Sequence, residues 1–239
     1  MYRCSTNKEA WEKIFNEYDV LNKIQEQGFF EISSKEINEY REARLMTKFD
    51  NSESIPKILS ENNLSILPIS SNKYMIARFK AYKKFGSEPK DIERVQFPSY
   101  IESLDYNNIS SESLALNCTY ITGILENFLD EEELVPTVSG KMGSGLFEFE
   151  IAQINDDKKI NVTVENSRME IDGGYEGVNS LALVEAKNVV AEDFLVRQLY
   201  YPYRLWESKI TKKVRTIYVV YSNGIFTIYE YKFNDINEY

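Results

Sequence analysis

Residues 168–187, RMEIDGGYEGVNSLALVEAK, restrict the possible folds more than any other stretch of the chain. An alternating run, RMEID, is followed by glycines and then by LALV, an apolar run that reads as a buried strand and ends in Glu185-Ala186-Lys187. Charged residues directly after such a strand are costly to bury alone, so they have to be paired or bound to a cation. Side chains alternate along a strand, which puts Glu185 and Lys187 on one face and turns Ala186 into the core with its carbonyl near them. A glycine-containing turn between two neighbouring strands then brings Asp172, at the end of the first, to the end of the second.

The rest of the composition narrows the chemistry available to such a cluster. There is no histidine among the 239 residues, which excludes every mechanism that needs an imidazole base or ligand. Carboxylates holding a hard divalent cation, assisted by lysine, remain for hydrolysis. Cys4 and Cys118 are too few for a disulfide framework and are not spaced as a zinc pair, so both are expected to be structural or incidental. The chain has no apolar run of bilayer length and no signal-peptide core, and a cytoplasmic location is expected. A net charge of −10 speaks against coating nucleic acid over the whole surface, but basic runs at residues 73–94 and 197–215 leave room for a local basic cleft.

Along the chain, residues 8–27 carry apolar residues at helical spacing up to Gly28, and FFEIS reads as a strand followed by a helix capped by Ser34. A helix start around residues 52–56 and two strands, LSILPIS and YMIARF, complete a small α/β module. Pro89 and Pro98 bracket the joining stretch, so the boundary is placed near residue 100, giving units 1–100 and 101–239. The second unit reads as one long helix over 111–129, a loop over VPTVSGKMGSG, strands LFEFEIAQI, KINVTVE, RMEID and LALVEAK, a helix over 191–208 interrupted at Pro202, and two strands joined at Asn223-Gly224. This order predicts an α/β sandwich around a mixed central sheet. The last residues stop soon after a predicted strand, as a fragment of a longer protein would.

The pattern D-(x)12-E-A-K at Asp172, Glu185 and Lys187, with a helix before it and another after it, resembles the PD-(D/E)XK nuclease superfamily over residues 111–231. Ile171 stands where the family's name pattern has proline. The resemblance implies a restriction-endonuclease-like α/β/α core in which Asp172, Glu185 and the Ala186 carbonyl bind Mg²⁺, or Mn²⁺ in its place, and Lys187 supports the attacking water. It further implies an acidic residue on the preceding helix, matched to Glu126, and a glutamine on the following helix, matched to Gln198. Glu170 lies two residues before Asp172 and is a second-cation candidate, with Glu165 a weaker one.

The segments VPTVSGKMGSGLFEF, EIDGGYEG and RLMTKFDNSESIPKILSENNLSILPI look like bacterial type II restriction endonucleases. That likeness implies a homodimer cutting double-stranded DNA at specific sites, with a companion DNA methyltransferase protecting the host. DNA would be gripped by Arg41, Arg44, Lys48, Lys83, Lys84 and Arg204, with Lys141 and Ser144 near a phosphate. Two other readings stay open: a structure-specific repair or recombination nuclease, and a non-cutting DNA-binding module on the same fold.

Overall fold

In the computed structural model, which describes residues 4–87 and 91–239, the first expected helix is two. Helix α1 (Asn7–Glu17) starts with a capping box between Thr6 and Glu9, and α2 (Val20–Gln27) follows after Asp19 takes a left-handed conformation. Gly28, at φ 86°, ends α2 as expected. Strand β1 (Phe29–Ser33) leads into α3 (Ser34–Tyr40), whose cap is Ser33 rather than Ser34, because Ser33 and Glu36 form a reciprocal capping box. Helix α4 (Ala43–Met46), a single 3₁₀ turn (Ser52–Ser54) and α5 (Lys57–Ser60) come before β2 (Ser65–Pro68) and β3 (Lys73–Ala77). These three strands form an antiparallel sheet in the order β1-β3-β2.

This small sheet has apolar side chains on both faces. Phe30, Ile32, Ile66 and Ile76 pack with Trp11, Ile14 and Phe15 of α1, while Leu67, Met75 and Ala77 join a second cluster built mainly from the rest of the chain. The N-terminal helices and the C-terminal part thus meet across one sheet. Pro89 and Lys90, expected to lie in the joining stretch and the basic run, fall outside the described residues.

Beyond β4 (Tyr82–Lys84), the long helix expected over 111–129 is broken into α6 (Glu112–Ile121) and α7 (Ile124–Leu129) by Gly123 at φ 71°. The loop expected at VPTVSGKMGSG is instead β5 (Val135–Gly143), since its alternating residues pair along β8. Strands β6 (Leu146–Ala152) and β7 (Lys159–Glu165) pair only with each other as named strands, forming a hairpin outside the central sheet. The central sheet has the order β12-β11-β9-β8-β5, with β8 (Arg168–Glu176), β9 (Ser180–Lys187), β11 (Lys213–Ser222) and β12 (Ile225–Tyr231). Strand β11 runs parallel to β9 and the other neighbours are antiparallel, so the sheet is mixed as expected. Asn223 and Gly224, both at positive φ, form the tight β11–β12 turn.

Helices cover both faces of this sheet. Leu181 and Leu183 of β9 share a cluster with Leu199 and Leu205 of α8 (Arg197–Glu207), while Ala182, Val184 and Ala186 pack with Leu116 of α6 and Leu125 of α7. Pro202 does not end α8, but it cannot supply the N–H that would pair with the Gln198 carbonyl four residues back. Between β9 and α8, β10 (Asp193–Leu195) pairs antiparallel with β4. Among the described residues no helix is long and apolar enough to cross a membrane.

Candidate active site

Strands β8 and β9 are paired from Glu176 opposite Leu181 to Gly173 opposite Val184, and there the ladder stops. Beyond that point the backbone N–H of Ala186 donates to the Asp172 carboxylate at 2.9 Å, so a side chain takes over where the strands part. Asp172 is therefore inside β8 rather than at its end, and Gly173 and Gly174 are strand residues, while the expected glycine-containing turn is at Gly177, whose N–H donates to the Ser180 carbonyl. The role of Gly173 and Gly174 is close packing. A Cβ on Gly173 would sit 2.8 Å from the Tyr175 ring and 3.1 Å from Leu116 of α6, and one on Gly174 would sit 2.7 Å from Val138 of β5.

A bulge aims Asp172. Gly140 of β5 stands opposite Ile171 and Val138 opposite Gly174, so two steps on β5 match three on β8, and the extra residue falls at Asp172–Gly173. Across it the strand exchanges faces: Met169 and Ile171 pack in the α8 cluster, whereas Tyr175 packs in the α6 cluster. The β8–β9 turn is held by Glu131, whose carboxylate accepts from the Asn179 N–H and the Ser180 hydroxyl.

At the end of β9, Glu185 is buried and its carboxylate accepts from Lys187 Nζ at 2.5 Å and from the Gln198 amide on α8. Lys187 Nζ also lies 3.4 Å from Glu112 and 4.0 Å from Asp50, and the Gln198 amide donates to Asp50 at 3.2 Å. Four carboxylates thus surround one ammonium and one amide. A cavity of about 510 Å³ opens beside them, lined by Asp50, Ser111, Glu112, Lys187, Asn188 and Tyr218 among others.

The electrostatics follow from that crowding. Burial pushes the Glu185 carboxyl up to about 8, with Asp172 and Asp50 adding to the rise and the Lys187 ammonium opposing it. Burial likewise raises Asp172, while the Ala186 N–H and Lys187 pull the other way. Burial alone would lower Lys187, but Glu185, Asp50 and Glu112 outweigh it and hold the ammonium protonated.

The sequence-predicted residues divide sharply. Asp172, Glu185, Lys187 and Gln198 converge, and the Ala186 side chain packs in the core as expected. Glu170 stays exposed and acts on Asp172 only through its charge, with Lys141 opposite it on β5. Glu126 opens α7 and takes no part in this network; the acid supplied by the helix layer is Glu112, in the first turn of α6. Glu165 lies on the separate β6–β7 hairpin.

Several expected DNA contacts have internal duties instead. Arg204 donates to the carbonyls of Glu148 and Ile236 and lies over the Phe147 ring, Ser144 is buried and accepts from the Ser167 N–H, and Arg41 holds the carbonyls of Cys4 and Ser5. Arg44 is paired with Glu42 and Lys84 with Glu192, while Lys48, Lys83 and Lys141 are exposed. Sequence reading missed Asp50 and Glu112. A first-turn glutamate after a serine cap is an ordinary helix start, and an aspartate in FDNSES is an ordinary turn residue, so neither position stands out.

The donor set suits a divalent cation held by two carboxylates and a carbonyl rather than by a cage of acids. Among the described residues no three acidic, histidine or cysteine side chains stand close enough to hold a metal by themselves. Asp172 and Glu185, with the Ala186 carbonyl, are the groups that would hold one. The Gln198 side-chain oxygen, on the amide that bonds Glu185, is buried without a hydrogen-bond partner, as is that of Asn188 in the cavity lining.

Residues 77–239 match the family model described as a domain of unknown function (DUF6997), and residues 8–76 match a second, described as a domain of unknown function (DUF6996). The first match spans more than half of the chain, which therefore belongs to the DUF6997 family. The two matches meet at the end of β3. No curated protein and no solved structure matches the chain.

Proposed function

We propose that this DUF6997 member is a Mg²⁺-dependent endonuclease of the PD-(D/E)XK type, with a restriction-endonuclease-like core, that hydrolyses phosphodiester bonds in double-stranded DNA. The observation that carries the reading is the bond from the Ala186 N–H to the Asp172 carboxylate at the point where β8 and β9 part. It holds Asp172 against the strand that ends in Glu185 and Lys187, so residues 13 and 15 positions apart share one small volume.

Asp172, Glu185 and the Ala186 carbonyl are the groups that would hold the cation. A Mg²⁺ ion in such a place, or Mn²⁺, polarises a phosphate oxygen and lowers the pKa of a bound water. Lys187 Nζ, kept protonated by the acids around it, orients the attacking water and offsets charge developing on the phosphate. Gln198 fixes the Glu185 carboxylate by a hydrogen bond from its side-chain amide on α8, and Glu112 on α6 pairs with Lys187 at the edge of the open cavity. Water oxygen bonds to phosphorus as its proton passes to solvent, the bond to the leaving sugar oxygen breaks, and that oxygen takes up a proton from solvent.

Lys48, Lys83 and Lys141 are exposed and remain available for phosphate contacts, which suits local gripping by a protein of net charge −10. Type II restriction is the form of the activity we favour, with a homodimer providing two cuts and a methyltransferase as companion. Incubation of the purified chain with several unmethylated DNAs and Mg²⁺, with EDTA as control and sequencing of the ends, tests this. Discrete fragments with constant ends support site-specific cutting, random or junction-selective ends redirect the proposal to a structure-specific nuclease, and DNA left intact with both Mg²⁺ and Mn²⁺ overturns the catalytic reading.

A further inference from the structure

Asp50 is far from the catalytic strands in sequence and lies in the part of the chain that matches the second family model, yet its side chain reaches them. The loop that carries it is fastened on both sides. The Phe49 side chain is buried in the N-terminal core, and the Phe49 carbonyl accepts from the Tyr82 hydroxyl at 3.0 Å. The Asp50 carbonyl accepts from the Leu195 N–H at 2.9 Å, and Ser52 donates from its N–H and its hydroxyl to the buried Asp193 carboxylate at 2.8 and 2.5 Å. These bonds dock the loop on β10, two residues before α8 begins.

From that position the Asp50 carboxylate accepts from the Gln198 amide and faces Lys187, so the amide bridges Asp50 and Glu185. Asp50 adds negative charge to a place that already holds three other carboxylates, and a loop acid serving only solubility has no reason to be clamped there. It is not part of a three-acid cation cage, so its influence passes through Gln198 and Lys187.

We infer that Asp50 is a positioning residue supplied by the N-terminal module, setting the Gln198 amide and the Lys187 ammonium, so that the catalytic centre is complete only while loop 49–52 is docked on β10. This rests on the nuclease reading and adds to it a physical route by which events at the N-terminal module reach the reacting atoms. A shift of the loop by about an ångström is enough to matter, because catalytic groups misplaced by that distance lose rate by orders of magnitude.

The test uses the full chain and measures two things separately: the single-turnover rate of DNA cleavage with Mg²⁺, and DNA affinity with Ca²⁺ in its place. Asp50→Ala and Asp50→Asn are expected to lower the rate at least about tenfold with affinity within about twofold of the parent, and Asp50→Glu to recover most of the loss. Ser52→Ala, which loosens the clamp without touching the site, is expected to lower the rate by about threefold, and Glu53→Gln on the exposed side to leave it unchanged. Asp50→Asn, of nearly the same shape, serves where Asp50→Ala fails to fold. Asp50 variants that cut at the parental rate, or that lose affinity with the rate intact, overturn the inference while leaving the nuclease reading standing. A parent chain that cuts no DNA overturns the nuclease reading and this inference with it.

Discussion

Two charge pairs sit on the central sheet, one partly buried and one around a buried carboxylate, and they behave in opposite ways. Arg215 on β11 and Glu230 on β12 are joined by two bonds, at 2.9 and 3.2 Å, with the guanidinium also donating to the Leu129 carbonyl and Lys232 adding a second cation beside Glu230. Cations match the acid there, and although burial opposes ionisation the Glu230 carboxyl ends below its ordinary range. Lys187 and Glu185 are as close, yet Asp50, Glu112 and Asp172 crowd the same space and Glu185 ends well above its range. A balanced pair fastens two strands, whereas an unbalanced one keeps a demand for positive charge that folding alone does not meet.

The contrast breaks most readily at the catalytic end. Asp172→Ala or Glu185→Ala should reduce DNA cleavage by at least about a thousandfold, with DNA binding in Ca²⁺ largely kept, and Lys187→Ala should be as inactive while still binding the cation. Rate and affinity measured side by side check this, and an Asp172→Ala protein cutting at the parental rate would remove Asp172 from the centre. At the structural end the effects should reverse. Arg215→Ala leaves Glu230 with Lys232 and the charge of Lys213, and is expected to cost about 1–2 kcal/mol, near 2–8 °C in melting temperature for a chain of this size, while the surviving folded molecules cut at the parental rate.

A third outcome concerns the bulge that separates the two behaviours. Gly173→Ala inserts a Cβ against Tyr175 and Leu116, for which about 1–3 kcal/mol of destabilisation is expected from overpacking. It should also lower the cleavage rate, because Asp172 is the neighbouring residue; thermal melting and kinetics on the same preparation separate the two effects.

The smallest effect is a pH dependence. Glu185 has its folded pKa raised from 4.5 to about 8, so the folded state favours the protonated acid. The resulting stability is present below about 4.5 and is lost as pH rises through 8, the reverse of the usual carboxylate. Glu185→Gln should therefore raise the melting temperature by a few degrees, more at pH 8.5 than at pH 5, while abolishing cleavage. Because a bound cation replaces that proton, Mg²⁺ should stabilise the parent more at pH 8.5 than at pH 6, and Asp172→Ala should lose the effect. Equal Mg²⁺ shifts at both pH values would detach the cation from Glu185.

Much of the architecture could be read from residue order. The strands at 181–187 and 216–222, the Asn223-Gly224 turn, the stop at Gly28 and the mixed character of the sheet follow from local patterns that packing did not overrule. Two misread segments share one cause. VPTVSGKMG carries glycine and proline, which mimic a loop, but its edge position beside β8 tolerates them; GGYEG looks like a turn, but its first two glycines make room for α6 and β5. In each case a long-range neighbour decided the conformation that local residue types left open.

The same division holds at the site. Asp172, Glu185 and Lys187 were legible because charges that end a buried strand are costly and therefore conspicuous, and Gln198 came from the resemblance to the nuclease superfamily. Only the tertiary structure replaced Glu126 by Glu112, drew Asp50 in from the other module, placed Asp172 on a bulge and turned Arg204 and Ser144 inward. The sequence by itself determined most strands of the central sheet and the acids one strand must hide, since those depend on periodicity and burial cost within a short stretch. Which distant side chains share that space depends on how sheets and helices pack, and a charge that is ordinary in its own turn acquires a role only from what folding places beside it.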